Sequence, residues 1–160
     1  QLSGLRSIPN LNVFRPADIN ETLECWQIAL KNQNTPSAIA LSRQKLPYIN
    51  PSHTKENKSE LGAYTVNATS QENDVTLVAS GSEVELALQA QKELKEINID
   101  SKVVSMPCQE LFNQQSISYK NEIINKKIAI YDLKVDKRSN KFGNGKKLEN
   151  FKINSLPNYL

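Results

Sequence analysis

The stretch NLNVFRPADINETLECW, residues 10–26, constrains this chain more than any other segment. Leu11–Phe14 reads as a short strand. Pro16 stops it, because proline pushes the preceding Arg15 toward extended backbone. Asp18 stands three residues before Glu21, the capping-box arrangement, so a helix starts at Ile19 and runs to Lys31. Within it Leu23, Trp26 and Leu30 recur at helical spacing, with Thr22, Cys25 and Ala29 beside them, and mark its apolar face. Thr35-Pro36 ends the helix, and SAIALS (37–42) supplies a second strand. Two strands joined by one helix predict a βαβ unit with parallel strands and a right-handed crossover.

Residues 48–60 are polar, contain proline and lack periodicity, which is the composition of a linker. Order resumes with GAYTV (62–66) and DVTLVAS (74–80), two expected strands, followed by the tight turn Gly81-Ser82. Ser82 with Glu85 forms a second capping box before a helix over 83–97, whose Val84, Ala87, Leu88 and Leu94 share one stripe. KVVSM (102–106) is the next strand and is broken by Pro107. A short amphipathic helix is expected around Glu110–Gln115, then a strand at KKIAIYD (126–132). This alternation predicts a second, mainly parallel α/β sheet. From about Asp132 lysine, asparagine and glycine dominate and the pattern stops.

The formal net charge of +3 belongs to that last stretch. From Tyr131 onward seven Lys/Arg stand against three acids, a balance of +4, which leaves −1 for residues 1–130. The body therefore carries no field that would steer nucleic acid or an anionic membrane. No apolar run approaches a membrane span. Two cysteines, Cys25 and Cys108, are far apart and in no metal or redox spacing, as expected of half-buried thiols in a reducing cytoplasm.

Several residues are candidates for chemistry. The Arg15–Asp18 corner could hold an anion at the helix start, but the Asp18 carboxylate already occupies those donors, so it reads as a structural joint. Arg43 is placed beyond the carboxyl end of its strand, where ligands gather in parallel sheets, and a guanidinium fork suits phosphate or carboxylate. SGSE (80–83) has one glycine and no following lysine, so it is a turn and cap rather than a phosphate cradle. FGNGKK (142–147) fails the same patterns. His53, the single histidine, falls in the linker, which argues against a nitrogen-based metal site and against histidine proton transfer in this chain.

Taken in order, QLSGLRSIPNLNVFRPADINETLECWQIAL, PSAIALSRQKLP, GAYTV, DVTLVASGSEVELALQAQKEL and KVVSMPCQELFNQQ resemble transketolase over about residues 1–130. The resemblance implies a dimeric, cytoplasmic thiamine-diphosphate enzyme of the pentose phosphate pathway that needs a divalent cation such as Mg2+. Such enzymes move a two-carbon ketol unit from a ketose phosphate to an aldose phosphate. It divides the chain into the end of a pyrimidine-binding domain (1–47), a linker (48–61), a truncated C-terminal domain (62–131) and a divergent basic tail (132–160). The fold class expected is α/β, as two partial units with mainly parallel sheets, three-layer α/β/α in the C-terminal domain, and a disordered C-terminal tail. Arg43, in LSRQ, matches the family arginine that grips the substrate phosphate.

The departures from the family pattern set a second group of expectations. The diphosphate- and metal-binding segment, the glutamate that activates the cofactor and the channel histidines have no counterpart here, and His53 matches none of them. No catalytic, cofactor-binding or metal residue is therefore expected, nor is thiamine diphosphate expected to bind the chain alone, and the isolated chain should be inert. YDLKVDKRSNKFGNGKKLENFKINSLPNYL does not resemble the family's final stretch, which suggests a truncated or decayed gene product, read out of frame past Ile130. The alternatives are a non-catalytic half of a split transketolase, assembling with an N-terminal chain or another transketolase subunit, and, less favoured, a nucleic-acid-associated protein acting through its basic tail.

Overall fold

The computed structural model describes residues 1–49 and 56–124, and the backbone of 129–132. The first unit opens with helix α1 (Leu2–Arg6), then strand β1 (Asn12–Phe14), helix α2 (Ile19–Lys31) and strand β2 (Ser37–Ile39). β1 and β2 pair in parallel with Val13 opposite Ala38, so the expected βαβ unit is present. α2 begins where the sequence predicts. Asp18 has extended backbone and its Oδ1 accepts the Glu21 N–H at 2.8 Å.

The face that α2 buries is not the expected one. Glu21, Cys25 and Ile28 point inward, while Leu23, Trp26 and Leu30 are half or more exposed. The physical reason is what lies beneath the helix. Cys25 and Ile28 meet Phe14, Ile39, Cys108 and Leu111 in one cluster, and the 3₁₀ turn Lys58–Leu61 closes over the same side. That turn lies within the segment expected to be linker, and it is anchored to α2. Asn57 Nδ2 donates to the Glu24 carbonyl at 3.0 Å, and Ser59 Oγ donates to Glu24 Oε2 at 2.7 Å.

The second unit contains strands β3 (Tyr64–Ala68), β4 (Val75–Ala79), β5 (Ser101–Ser105) and β6 (Ala129–Asp132), with helices α3 (Glu83–Glu96), α4 (Gln109–Asn113) and α5 (Ile117–Ile123). The strand order is β3-β5-β4-β6, parallel except for β3, which runs antiparallel to β5. Alternate residues of β4 and β5 face opposite layers, as strand geometry dictates. Leu77, Ala79 and Val103 pack on Val84, Ala87 and Ala90 of α3. Val78 and Val104 pack on Phe112 and Ile123. The unit is thus a three-layer α/β/α sandwich, with α4 and α5 opposite α3.

The predicted Ser82 cap does not form. Ser82 has helical backbone (φ −61°, ψ −18°) rather than the extended backbone of a cap, and its side chain makes no cap hydrogen bond. α1 and α5 were not expected from the sequence. The expected disordered tail, beyond Asp132, and His53 lie outside the described residues.

Candidate functional site

Arg43 lies just beyond β2. The Ala40 N–H donates to the Phe14 carbonyl at 2.9 Å, carrying the parallel pairing one residue past Ile39 before the chain turns out. Gln44 N–H donates to Ser42 Oγ at 3.1 Å, bending the backbone around Arg43. The Arg43 side chain is exposed. Among the described residues it makes no ion pair or hydrogen bond, in contrast to the two other arginines described there. Arg6 is held in a forked contact by Glu110, at 2.8 and 3.0 Å. Arg15 donates to Glu83 Oε2 at 2.7 Å and to Ser80 Oγ at 3.2 Å. A partnerless guanidinium beyond the carboxyl end of a parallel strand is able to receive a phosphate or carboxylate in two-point contact.

Arg15 is the structural joint that the sequence predicts, and its partners show its reach. Its N–H donates to the Pro107 carbonyl at 2.8 Å, and its own carbonyl accepts the Gly81 N–H at 3.0 Å. Gly81 has φ +60°, and a Cβ there would stand 3.3 Å from the Arg15 guanidinium. The turn after β4 therefore serves as a seat for Arg15, not as a phosphate cradle.

Sequence reasoning missed a buried polar cluster between the two units. Glu21 Oε1 accepts from Ser105 Oγ at 2.5 Å and from Tyr64 OH at 2.8 Å, while Oε2 accepts the Ala17 N–H at 2.7 Å. Asp18 Oδ2 accepts the Ile49 N–H at 3.1 Å beside it. Burial pushes the Glu21 carboxyl up to about 7, against the hydrogen bonds from Ser105, Ala17 and Tyr64 that favour its charge. The D-x-x-E spacing signals only the local cap, since nothing in it says that the glutamate reaches Tyr64 and Ser105. Cys25 and Cys108 are fully buried, not half-buried, and share one apolar cluster as free thiols. Burial raises both, Cys108 to about 12, which leaves them unreactive at neutral pH.

The described residues offer no group of three or more His, Cys, Asp or Glu that could hold a metal ion. Of the described glycines, Gly62 and Gly81 have positive φ, and both are packed against other residues, Gly62 against the backbone of Phe112 and Cys108 and Gly81 against the Arg15 guanidinium. No helix among the described residues is long and apolar enough to cross a membrane.

Residues 1–49 match the transketolase pyrimidine-binding domain, and residues 62–141 match the transketolase-like C-terminal domain. A transketolase from Sinorhizobium medicae is 51% identical over 124 residues, 77% of this chain and 18% of the relative. A Pichia stipitis transketolase, solved with sedoheptulose 7-phosphate, superposes with a TM-score of 0.77 at 38% identity, covering 84% of this chain and 19% of that one. A split-gene transketolase, described as an inactive beta4 tetramer, superposes at 0.64 with 26% identity over 82% of this chain and 41% of its own. The chain belongs to the transketolase family. It spans about a fifth of the length of the curated relatives it matches.

Proposed function

We propose that this chain contributes the end of the pyrimidine-binding domain (1–47), a linker (48–61) and the start of the C-terminal domain (62–131) to a transketolase, with 132–160 as a divergent tail. In that enzyme Arg43 grips the phosphate of the ketose or aldose phosphate while a two-carbon ketol unit passes between them. Thiamine diphosphate and Mg2+, held by other parts of the cytoplasmic enzyme, supply the carbanion chemistry. Alone, the chain is catalytically inert. The observation that carries this reading is the exposed Arg43 guanidinium at the end of β2, unpaired among the described residues, in a chain of this family.

The split-gene relative favours a second form of the same reading, in which the chain is one half of an assembled enzyme. Joining the upstream part of the Sinorhizobium medicae enzyme to Gln1 tests both. The chimera should turn over xylulose 5-phosphate. In it Arg43→Ala should lose roughly 100-fold in kcat/KM on phosphorylated donors, about 3 kcal/mol, and little on hydroxypyruvate. Equal losses on both donors would make Arg43 structural.

A further inference from the structure

The Arg15-Pro16-Ala17-Asp18 corner is where the segment bearing Arg43 is tied down. That segment leaves the sheet at Ala40, whose N–H donates to the Phe14 carbonyl at 2.9 Å. It comes back at Ile49, whose N–H donates to Asp18 Oδ2 at 3.1 Å. The two ties therefore flank Arg15, Pro16 and Ala17. The Ile49 side chain adds a third hold, because it packs on the core cluster that contains Ala17, Leu77 and Val84. Between the ties residues 41–48 are exposed, apart from half-buried Leu46, and have little packing of their own. The corner itself is fixed. Arg15 forms backbone bonds with Pro107 and Gly81, at 2.8 and 3.0 Å, and Pro16, Ala17 and Asp18 are buried.

An exposed segment held at both ends samples fewer conformations than one held at a single end, so less order remains to be imposed when a ligand binds. Placement matters for a guanidinium that meets phosphate at two points, since a shift of about 1 Å can cost ~100-fold. Asp18 uses its two oxygens separately. Oδ1 caps α2 through the Glu21 N–H at 2.8 Å, which leaves Oδ2 for Ile49. A cap needs one oxygen, which serine supplies equally well, whereas the second tie needs the carboxylate. We infer that Asp18 is a positioning residue for Arg43, fixing the far end of the 41–48 segment through Ile49 and so placing the guanidinium for the substrate phosphate; this rests on Arg43 being the phosphate-binding arginine.

Asp18→Ser separates the two roles, because a serine hydroxyl caps the helix but offers no second oxygen to Ile49. In the full 160-residue chain, hydrogen exchange at the Ile49 amide should be slow. It should speed up at least ~10-fold in Asp18→Ser, while the amides of α2 keep their protection. In the chimera with the upstream Sinorhizobium medicae part, Asp18→Ser should lose about 10-fold in kcat/KM on xylulose 5-phosphate, mainly through KM, and less than ~2-fold on hydroxypyruvate. Ile49→Ala leaves the cap and its carboxylate in place and should show the same selectivity; it decides if Asp18→Ser does not fold. Fast exchange at Ile49 in the unaltered chain would overturn the inference, as would equal losses on the two donors in these variants. If Arg43→Ala itself does not distinguish the donors, the phosphate reading falls and this inference falls with it. A selective Arg43→Ala beside an indifferent Asp18→Ser removes this inference alone.

Discussion

Ser105 donates its hydroxyl hydrogen to Glu21 Oε1 at 2.5 Å, across 84 residues of sequence. Glu21 belongs to the first unit and Ser105 to the central strand pair of the second, so this contact and the one from Tyr64 tie α2 to the second sheet. A carboxyl in this position prefers to hold its proton. Its folded value is about 7 against an ordinary 4.5. The native state therefore binds a proton that the unfolded chain has released between those two values. Stability contributed by the protonated form is complete below 4.5 and lost as pH rises through 7, at most about 3 kcal/mol. Urea midpoints of the native chain should fall over that window, and Glu21→Gln, which keeps a neutral hydrogen-bonding head, should flatten the fall. An unchanged slope in Glu21→Gln would move the effect to another group.

Arg15 and Glu83 form the second tie, at 2.7 Å, with side chains about a quarter and a fifth exposed. Because both ends are partly wet, their coupling in a double-mutant cycle should be modest, about 0.5–1 kcal/mol. Arg15→Ala should cost more than the pair alone, since its stem and the Ser80 contact are lost with it. A coupling near zero would show that the backbone bonds of Arg15 hold the joint unaided.

Gly62 should tolerate no side chain. Its φ is +79°, and a Cβ would stand 2.2 Å from the backbone nitrogen of Phe112 and 2.5 Å from the Cys108 carbonyl oxygen. Both clashes are with backbone, so neither can be relieved by a rotamer change. Gly62→Ala should cost at least ~2 kcal/mol in denaturant unfolding, and a neutral result would mean that the start of α4 slides away from β3 at no cost.

Neither thiol should react in the folded chain. Cys25 and Cys108 are fully buried, and both are held in the thiol form by that burial. A thiol reagent at about pH 8 should titrate none of the two cysteines quickly and both in denaturant. Rapid native reaction at one site would reveal local opening around the Phe14 cluster.

Much of this protein was legible in local chemistry. Pro16 ends a strand because its ring restricts Arg15, and Asp18 starts a helix because its carboxylate takes the Glu21 N–H. The βαβ unit, the parallel strands β4 and β5 and the family itself follow from such short-range rules and from the order of motifs. Arg43 was expected to follow directly on a strand over 37–42, but β2 ends at Ile39 and residues 40–42 stand between them, because only Ala40 continues the bonding to Phe14. What sequence alone left open is which side of each element meets the rest. Periodicity reports that apolar residues share a helix face, but α2 has two such faces, and only the seat formed by Phe14, Cys108 and the 3₁₀ turn determines which is buried. Likewise Glu21 satisfies a local cap in the sequence, yet its burial, its raised proton affinity and its grip on Tyr64 and Ser105 depend on a sheet formed more than forty residues downstream. Local rules act through bonds and neighbours a few residues apart. Burial is a property of whatever the folded chain brings from far away, and tertiary structure alone decided it.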